Sequence, residues 1–138
     1  MSASFVVNVE AAVVRDGEFL LIERAAAEDH APGLLAFPGG TVEPGVGTDA
    51  IEATARRELR EEVGIEVEAV EYVCSRTFEL DDGTRCLNVV TRCPYASGDA
   101  RPREPEEVAA VHWLSADEAR AREDAPVHLL ADLDRLEP

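Results

Sequence analysis

The sequence predicts one α/β domain, residues 1–138, built on a mixed β-sheet. Three observations carry that expectation. Valine-rich and alternating apolar runs, bounded by turn signals, lie both before and after one strongly helical stretch. Strands flanking a central helix fit a sheet with helices packed on it better than an all-β or all-α chain. The chain has 138 residues, 46% of them apolar, which is enough for one compact core.

The elements follow in order. Residues 5–14, FVVNVEAAVV, read as a strand; RDGE is a tight Asp-Gly turn, and FLLIER is the returning strand. Residues 25–34, AAAEDHAPGL, form a loop broken by Pro32 and Gly33. LAF is a short apolar piece ended by PGG, and TVEPGVGTD continues the loop, with Pro44, Gly45 and Gly47 as breakers. From Ala50 the period becomes helical. Ala55, Leu59 and Val63 make the strip expected to be buried, Asp49 or Thr48 is placed to cap the start, and Gly64 stands where a left-handed C-terminal residue belongs. Residues 66–78 alternate as a strand, LDDGTR turns the chain, and CLNVVTRCPY returns it. Residues 96–107 are a polar loop containing Pro102 and Pro105, and VAAVHWL is the final strand. SADEARA opens a helix with Ser115 and Glu118 at capping-box spacing. PVHLLADLDRL, with Val127, Leu130 and Leu133 at helical spacing, closes the chain as another short helix.

Composition narrows the function classes. Net charge is −16 and lysine is absent. Such a surface repels nucleic-acid backbones and shows no basic stripe, so long DNA or RNA is not an expected partner. A small phosphorylated ligand fits only if a cation mediates. Cys74, Cys86 and Cys93 are odd in number and lack CxxC spacing, so free thiols in or near strands are expected. The first residues lack a basic leader pattern, and no apolar run approaches the ~20 residues of a membrane helix, so the expectation is a soluble, cytoplasmic protein without a membrane partner.

The stretch RRELREEVGI, residues 56–65, raises the functional question. In a helix, Glu58, Glu61 and Glu62 stand at i, i+3 and i+4 on one face, where like charges repel. A solvated face laced with pairs such as Arg57–Glu61 is the ordinary use of such a sequence. The upstream loop, FPGGTVEPG, adds something else: glycines let backbone approach another group closely, and clustered carboxylates suit hard cations. Loop and helix together can make a cation site open to a diphosphate.

These residues resemble a known family. Arg57, Glu58, Leu59, Glu61, Glu62, Gly64 and Ile65 fill the second half of the Nudix box, G-x5-E-x7-R-E-U-x-E-E-x-G-U with U bulky and aliphatic, and the segment from Gly40 to Ile65 looks like that box. FPGG, LLIER and EEVAAVHWLSADEA are similar to other stretches of small Nudix domains. One departure stands out. The distance from Gly40 to Arg57 is three residues longer than the standard box; residues 46–48, VGT, read as the insertion, and Asp49 takes the place of the first glutamate. That keeps the charge and alters the loop.

The resemblance implies a Nudix-type α/β/α sandwich and a metal-dependent hydrolase. Its substrate would carry a phosphoanhydride in a nucleoside diphosphate linked to another moiety. It implies Mg²⁺ or Mn²⁺ held by Glu58, Glu61 and Glu62, with one of them helping to deprotonate water, and with Gly40 as a further metal residue. A further acid is expected from the loop before the last strand: Glu107 is the choice, with Glu104 and Glu106 as rivals. Arg57 would pair with a neighbouring carboxylate and hold it in place. Arg24 is either a phosphate contact or a strand-end charge; Gly39 and Phe37 are assigned to substrate, with core packing the rival reading for Phe37 and also for Phe78. His30 is either a substrate-facing or a solvated loop residue. His112 and Trp113 are expected to be structural. A homodimer is common among such domains. The competing reading is a non-catalytic Nudix-fold nucleotide-binding or regulatory module, which has no need for all three glutamates. A diphosphate isomerase would need a Cys or His placed near the loop. The stretch ELDDGTR, residues 79–85, carries neither the proline of some ADP-ribose enzymes nor the tyrosine of some dinucleoside polyphosphate enzymes, which leaves a generalist, a nucleoside triphosphate enzyme or a sugar-nucleotide enzyme.

Overall fold

The structure, a computed structural model, describes residues 4–26 and 31–137; His30 lies outside the described residues. The first strand, β1 (Val6–Arg15), turns at Asp16–Gly17, both with positive φ, into β2 (Glu18–Arg24). Two short strands follow, β3 (Leu35–Ala36) and β4 (Gly39–Thr41), and then the helix α1 (Ala50–Glu62). The strands β5 (Glu66–Val67), β6 (Glu71–Glu79), β7 (Arg85–Ser97) and β8 (Val108–Leu114) come next, and the helices α2 (Ala116–Arg120) and α3 (Val127–Leu136) complete the described chain.

The described strands form an eight-stranded mixed sheet in the order β3-β2-β1-β7-β5, with β4 on β1, β6 on β7 and β8 on β2. Its mixed character comes from β1 and β7, which run parallel from Val6↔Cys86 to Val14↔Pro94. On its other edge β1 changes partner. Asn8, Val9 and Glu10 pair with β4, whereas Val14 and Arg15 pair with β2.

Alternation along β1 and β2 divides the core into two layers. Val9, Ala11, Val13, Leu20 and Ile22 meet Ala55, Leu59 and Val63 of α1. Ala12, Phe19 and Leu21 face the other way and meet Ala116, Ala119, Leu129, Leu133 and Leu136 of α2 and α3. The result is the expected α/β/α sandwich, with the strip Ala55, Leu59 and Val63 fully buried.

Several expectations need correction. The glycine-rich loop contains a strand: β4 carries little strand propensity of its own and exists because β1 offers it a ladder. The single strand expected over 66–78 is two, β5 and β6, both pairing with β7. Asp49 precedes α1 in a left-handed conformation (φ 53) and makes no side-chain cap. The closing helix is rotated relative to the expected face: Val127 is exposed and Leu130 half-buried, while Leu129, Asp132, Leu133 and Leu136 are buried. The rotation turns on Asp132, which a carboxyl would normally forbid as a core position. Here Arg76 pairs with it through Nη1 and Nη2, one to each carboxyl oxygen. Other readings hold: Gly64 is left-handed (φ 75) at the end of α1, and Ser115 and Glu118 complete a capping box on α2. Cys74, Cys86 and Cys93 are buried free thiols in β6 and β7.

Because Leu59 is the centre of the α1 contact, Leu59→Ala is expected to lower stability by about 2–5 kcal/mol, the range for a buried leucine that leaves a cavity. Val127→Ala, on the outer face of α3, is expected to change it by less than ~0.5 kcal/mol. Urea unfolding of both variants checks the pair.

Candidate functional site

The site begins where β4 passes under α1. The Gly39 N–H donates to Glu62 Oε1 at 2.9 Å. A methyl group added at Gly39 would overlap the Val9 carbonyl oxygen, and one at Gly40 would overlap the Glu58 carboxyl. Gly39 is therefore required by its approach to the β1 backbone, whereas a side chain at Gly40 would have to push the Glu58 carboxyl aside. Arg57 fastens the same junction. Its Nη2 donates to the Thr41 carbonyl at 2.9 Å and to Glu58 Oε1 at 3.0 Å, and Nη1 pairs with Glu43 at 3.2 Å. One side chain thus ties the loop to the helix and holds Glu58.

The loop before β8 brings further acids. It docks on the open C-terminal carbonyls of α1, with Arg103 N–H donating to the Glu62 carbonyl at 2.9 Å and Arg101 N–H to the Val63 carbonyl at 3.1 Å. Gly64 makes this approach feasible, since a side chain there would strike Arg103. The Glu104 carbonyl then accepts from the N–H groups of Glu107 and Val108, which turns the chain into β8.

These carboxylates perturb one another. Burial first, and then the charges of Glu58, Glu107 and Glu104, push Glu62 up to about 8, against the pull of the Gly39 N–H. Burial also raises Glu58, with Glu61 and Glu107 adding to it and Arg57 opposing it. Glu104 is raised by burial and then by Glu107, Glu61 and Glu58. So Glu58, Glu61, Glu62, Glu104 and Glu107 share one region. Of the three loop candidates, Glu104 and Glu107 couple to the α1 acids, and Glu106 is an exposed neighbour. Among the described residues, no three His, Cys, Asp or Glu side chains already converge as a metal cage. The donor set is nonetheless all hard oxygen, and its mutual repulsion is what a divalent cation relieves, so these residues fit such an ion.

A cavity of about 640 Å³ opens on the other side of β4. Gly39, Gly40 and Thr41 line one end. Asn8, Glu10, Arg24, Phe37, Arg76, Phe78, Asn88 and His128 contribute the rest of its polar and aromatic wall. Its size suits a nucleotide-sized ligand. Arg24 stands on this wall at the end of β2. Phe37 lines the cavity but is itself core, 4% exposed and edge-on to Phe19 at 6.5 Å. Phe78, for which core packing was the stronger expectation, is instead 41% exposed at the cavity. His112 is fixed by Glu23 at 2.8 Å, and Trp113 stacks under Arg15 at 3.9 Å and edge-on to Tyr95. Glu10, Asn88 and Arg76 were missed as cavity residues. The one local signal was the pair Asn8 and Glu10, polar residues two apart in an otherwise apolar strand.

Comparisons with known proteins identify the family. The family model described as NUDIX domain matches residues 5–132. CTP pyrophosphohydrolase of Escherichia coli (strain K12) is 37% identical over 124 residues, which is 89% of this chain and 86% of that protein. NAD-capped RNA hydrolase NudC of Stutzerimonas stutzeri is 31% identical over 105 residues, 76% of this chain but only 35% of that longer protein. The crystal structure of a MutT NUDIX hydrolase from Burkholderia pseudomallei superposes with a TM-score of 0.82 at 26% identity, covering 98% of this chain and all of that one. The solution structure of the E. coli ORF135 protein gives 0.76 at 32% identity, covering 96% and 88%. The chain belongs to the Nudix family.

Two expected outcomes follow from the site. Glu62 binds its proton more tightly in the folded chain than its ordinary value of 4.5 allows. Its contribution to stability is therefore full below that value and is lost as pH rises through about 8. In metal-free protein, urea unfolding across that window should show stability falling with pH, and Glu62→Gln should flatten the slope. Gly40→Ala should displace Glu58 and lower turnover by about a hundredfold, while Gly47→Ala, at a glycine with open space around it and no left-handed backbone, should not act on Glu58.

Proposed function

We propose, starting from membership of the Nudix family, that this chain is a metal-dependent pyrophosphohydrolase acting on a small nucleotide. The observation that carries the reading is the Gly39–Gly40 strand, which touches the α1 carboxylates and also lines the cavity. A nucleoside held in the cavity would thereby present its phosphates to the acid face. The relative from E. coli is named for CTP, and that likeness supports a nucleoside triphosphate, a pyrimidine one in particular, as substrate.

Glu58, Glu61 and Glu62 would hold the ion, Mg²⁺ or Mn²⁺, with Glu107 or Glu104 joining from the loop and the Gly40 carbonyl as a further candidate. Bound there, a divalent cation supplies neutralisation of phosphate charge and a lower pKa for water. The chain's own residues do the rest. Arg57 fixes Glu58 and the glycine strand together, so neither moves when charge develops. The Gly39 N–H orients the Glu62 carboxyl. One of Glu58, Glu61 and Glu62 would take a proton from attacking water. Arg24, on the cavity wall, would meet a phosphate oxygen. Water attacking phosphorus then divides the substrate into a nucleoside monophosphate and the remaining phosphate-bearing group.

The reading extends to a homodimer, by resemblance to other small members, and to a cytoplasmic location, the default for a sequence without a basic leader pattern or a membrane-length apolar run. Among the described residues no helix is long and apolar enough to cross a membrane.

Product analysis with a nucleotide panel and Mg²⁺ tests the activity. Hydrolysis is expected to stop on chelation, and Glu61→Gln and Glu62→Gln are expected to lower kcat by about a hundredfold or more. If parent and variants bind nucleotide equally and none cleaves it, the chain is a sensor module instead.

A further inference from the structure

Gly98 follows the last residue of β7 and stands where no side chain fits. Its φ of 104 is one that residues with a Cβ rarely adopt. A methyl group there would lie 2.6 Å from the Gly64 carbonyl oxygen and 3.0 Å from the Ile65 Cα. Both obstacles are backbone, so neither can swing aside. Gly98 thus sits directly on the turn that ends α1. Tyr95 holds it there: the Tyr95 hydroxyl donates to the Gly98 carbonyl at 2.5 Å. The hydroxyl is aimed by its ring, which packs edge-on to Trp113 at 5.8 Å and lies under the Arg15 guanidinium at 5.1 Å. From this contact the chain runs along the end of α1. The Arg101 and Arg103 N–H groups donate to the Val63 and Glu62 carbonyls, and farther on the Glu107 carbonyl accepts from the Ala25 N–H at 2.9 Å. On this stretch lie Glu104 and Glu107, whose charges reach Glu58 and Glu62.

We infer that Tyr95 and Gly98 are positioning residues for the loop-borne share of the cation site: their contact with Gly64 and Ile65 seats residues 101–107 on the end of α1 and so fixes Glu104 and Glu107 beside Glu58 and Glu62. This rests on the cation site of the proposed function and deepens it by naming what holds its two halves in register. Neither residue lines the cavity, so each acts through the loop. The need for such a seat follows from charge. Acids brought beside acids repel, and that repulsion pushes the loop off the helix while no cation is bound. The contacts that oppose it are uncharged: two backbone N–H groups on the α1 carbonyls, the close approach of two glycines and one phenol hydroxyl. They are in place before a cation arrives, which lowers the ordering cost of binding it.

The test follows Mn²⁺ uptake by metal-free protein through the EPR signal of free Mn²⁺, a readout that does not depend on turnover. Tyr95→Phe keeps the ring packing and removes only the hydroxyl, so its fold is retained; it is expected to weaken Mn²⁺ binding about fivefold. Gly98→Ala, which must displace backbone, is expected to weaken it by about tenfold or more. In both variants, amide hydrogen exchange at Arg101 and Arg103 is expected to quicken. Tyr95→Phe is then placed in a Glu104→Gln, Glu107→Gln background, where the loop has no carboxylate to deliver. There it is expected to leave Mn²⁺ affinity unchanged, as an effect that passes through those two acids must. A loss of equal size in that background overturns the inference, because the hydroxyl then acts on the fold at large. Tyr95→Phe protein with the parent's Mn²⁺ affinity overturns it as well. Product analysis keeps the two readings apart. Parent protein that binds Mn²⁺ and cleaves no nucleotide loses the hydrolase reading and keeps its seat, whereas parent protein that takes up no Mn²⁺ loses both.

Discussion

Gly39 and Gly40 are held between two surfaces that leave no space for a side chain, the β1 backbone on one side and the Glu58 carboxyl on the other. The rest of the site depends on this closeness. Because β4 has no side chain at these positions, the Gly39 N–H reaches Glu62 and the Thr41 carbonyl reaches Arg57. Because β4 pairs with β1, the glycines are also fixed relative to the sheet. The helix that carries the acids is thus registered against the cavity through backbone, which shifts less than a side chain does. The insertion at residues 46–48 is accommodated beyond this contact, where Val46, Gly47 and Thr48 are exposed. The departure from the family's spacing therefore falls where the chain has freedom to absorb it.

Electrostatics at this junction run against the stability of the bare fold. Glu62 is 5% exposed and adjoins other carboxylates, in a chain whose net charge is −16. So unfavourable a setting, which the raised Glu58 and Glu104 share, is the condition that the proposed cation would relieve. Arg57 compensates only in part. Its position toward the loop, with Glu43 and Glu58 as partners, steadies one edge of the cluster and leaves the remainder open to a cation.

Much of this was legible in the sequence because it is local. The i, i+3, i+4 glutamates, the strip of Ala55, Leu59 and Val63, the left-handed Gly64 and the capping box at Ser115 are each set within one or two turns of helix. What escaped is long-range. β4 could not be read from Gly-Gly-Thr, whose strand is induced by a partner about thirty residues away. The face of α3 was misread because Val127, Leu130 and Leu133 make an apolar stripe, whereas the observed stripe includes Asp132. Only the distant Arg76 makes that carboxyl acceptable in the core. Glu10 and Asn88 meet through the parallel pairing of β1 with β7, a crossover that no local pattern specifies. In FVVNVEAAVV the polar pair at alternate positions did mark one face as unlike the rest, yet nothing in the stretch said what it faced.

The two sides of β4 also differ in what they ask of a substrate. The cavity side carries Arg24 and Arg76 near Glu10, and the helix side carries at least five neighbouring glutamates. On the proposed reading, a polyphosphate approaching the helix side alone would be repelled, and a divalent cation held there would raise the site's affinity for the polyphosphate. By linkage the substrate raises the site's affinity for the cation by the same factor. The repulsion noted in RRELREEVGI would then have a consequence beyond instability: it would make nucleotide and cation depend on each other for productive binding. A site with neutral ligands in place of these glutamates would accept the phosphates more readily when empty of metal, and it would lose that dependence.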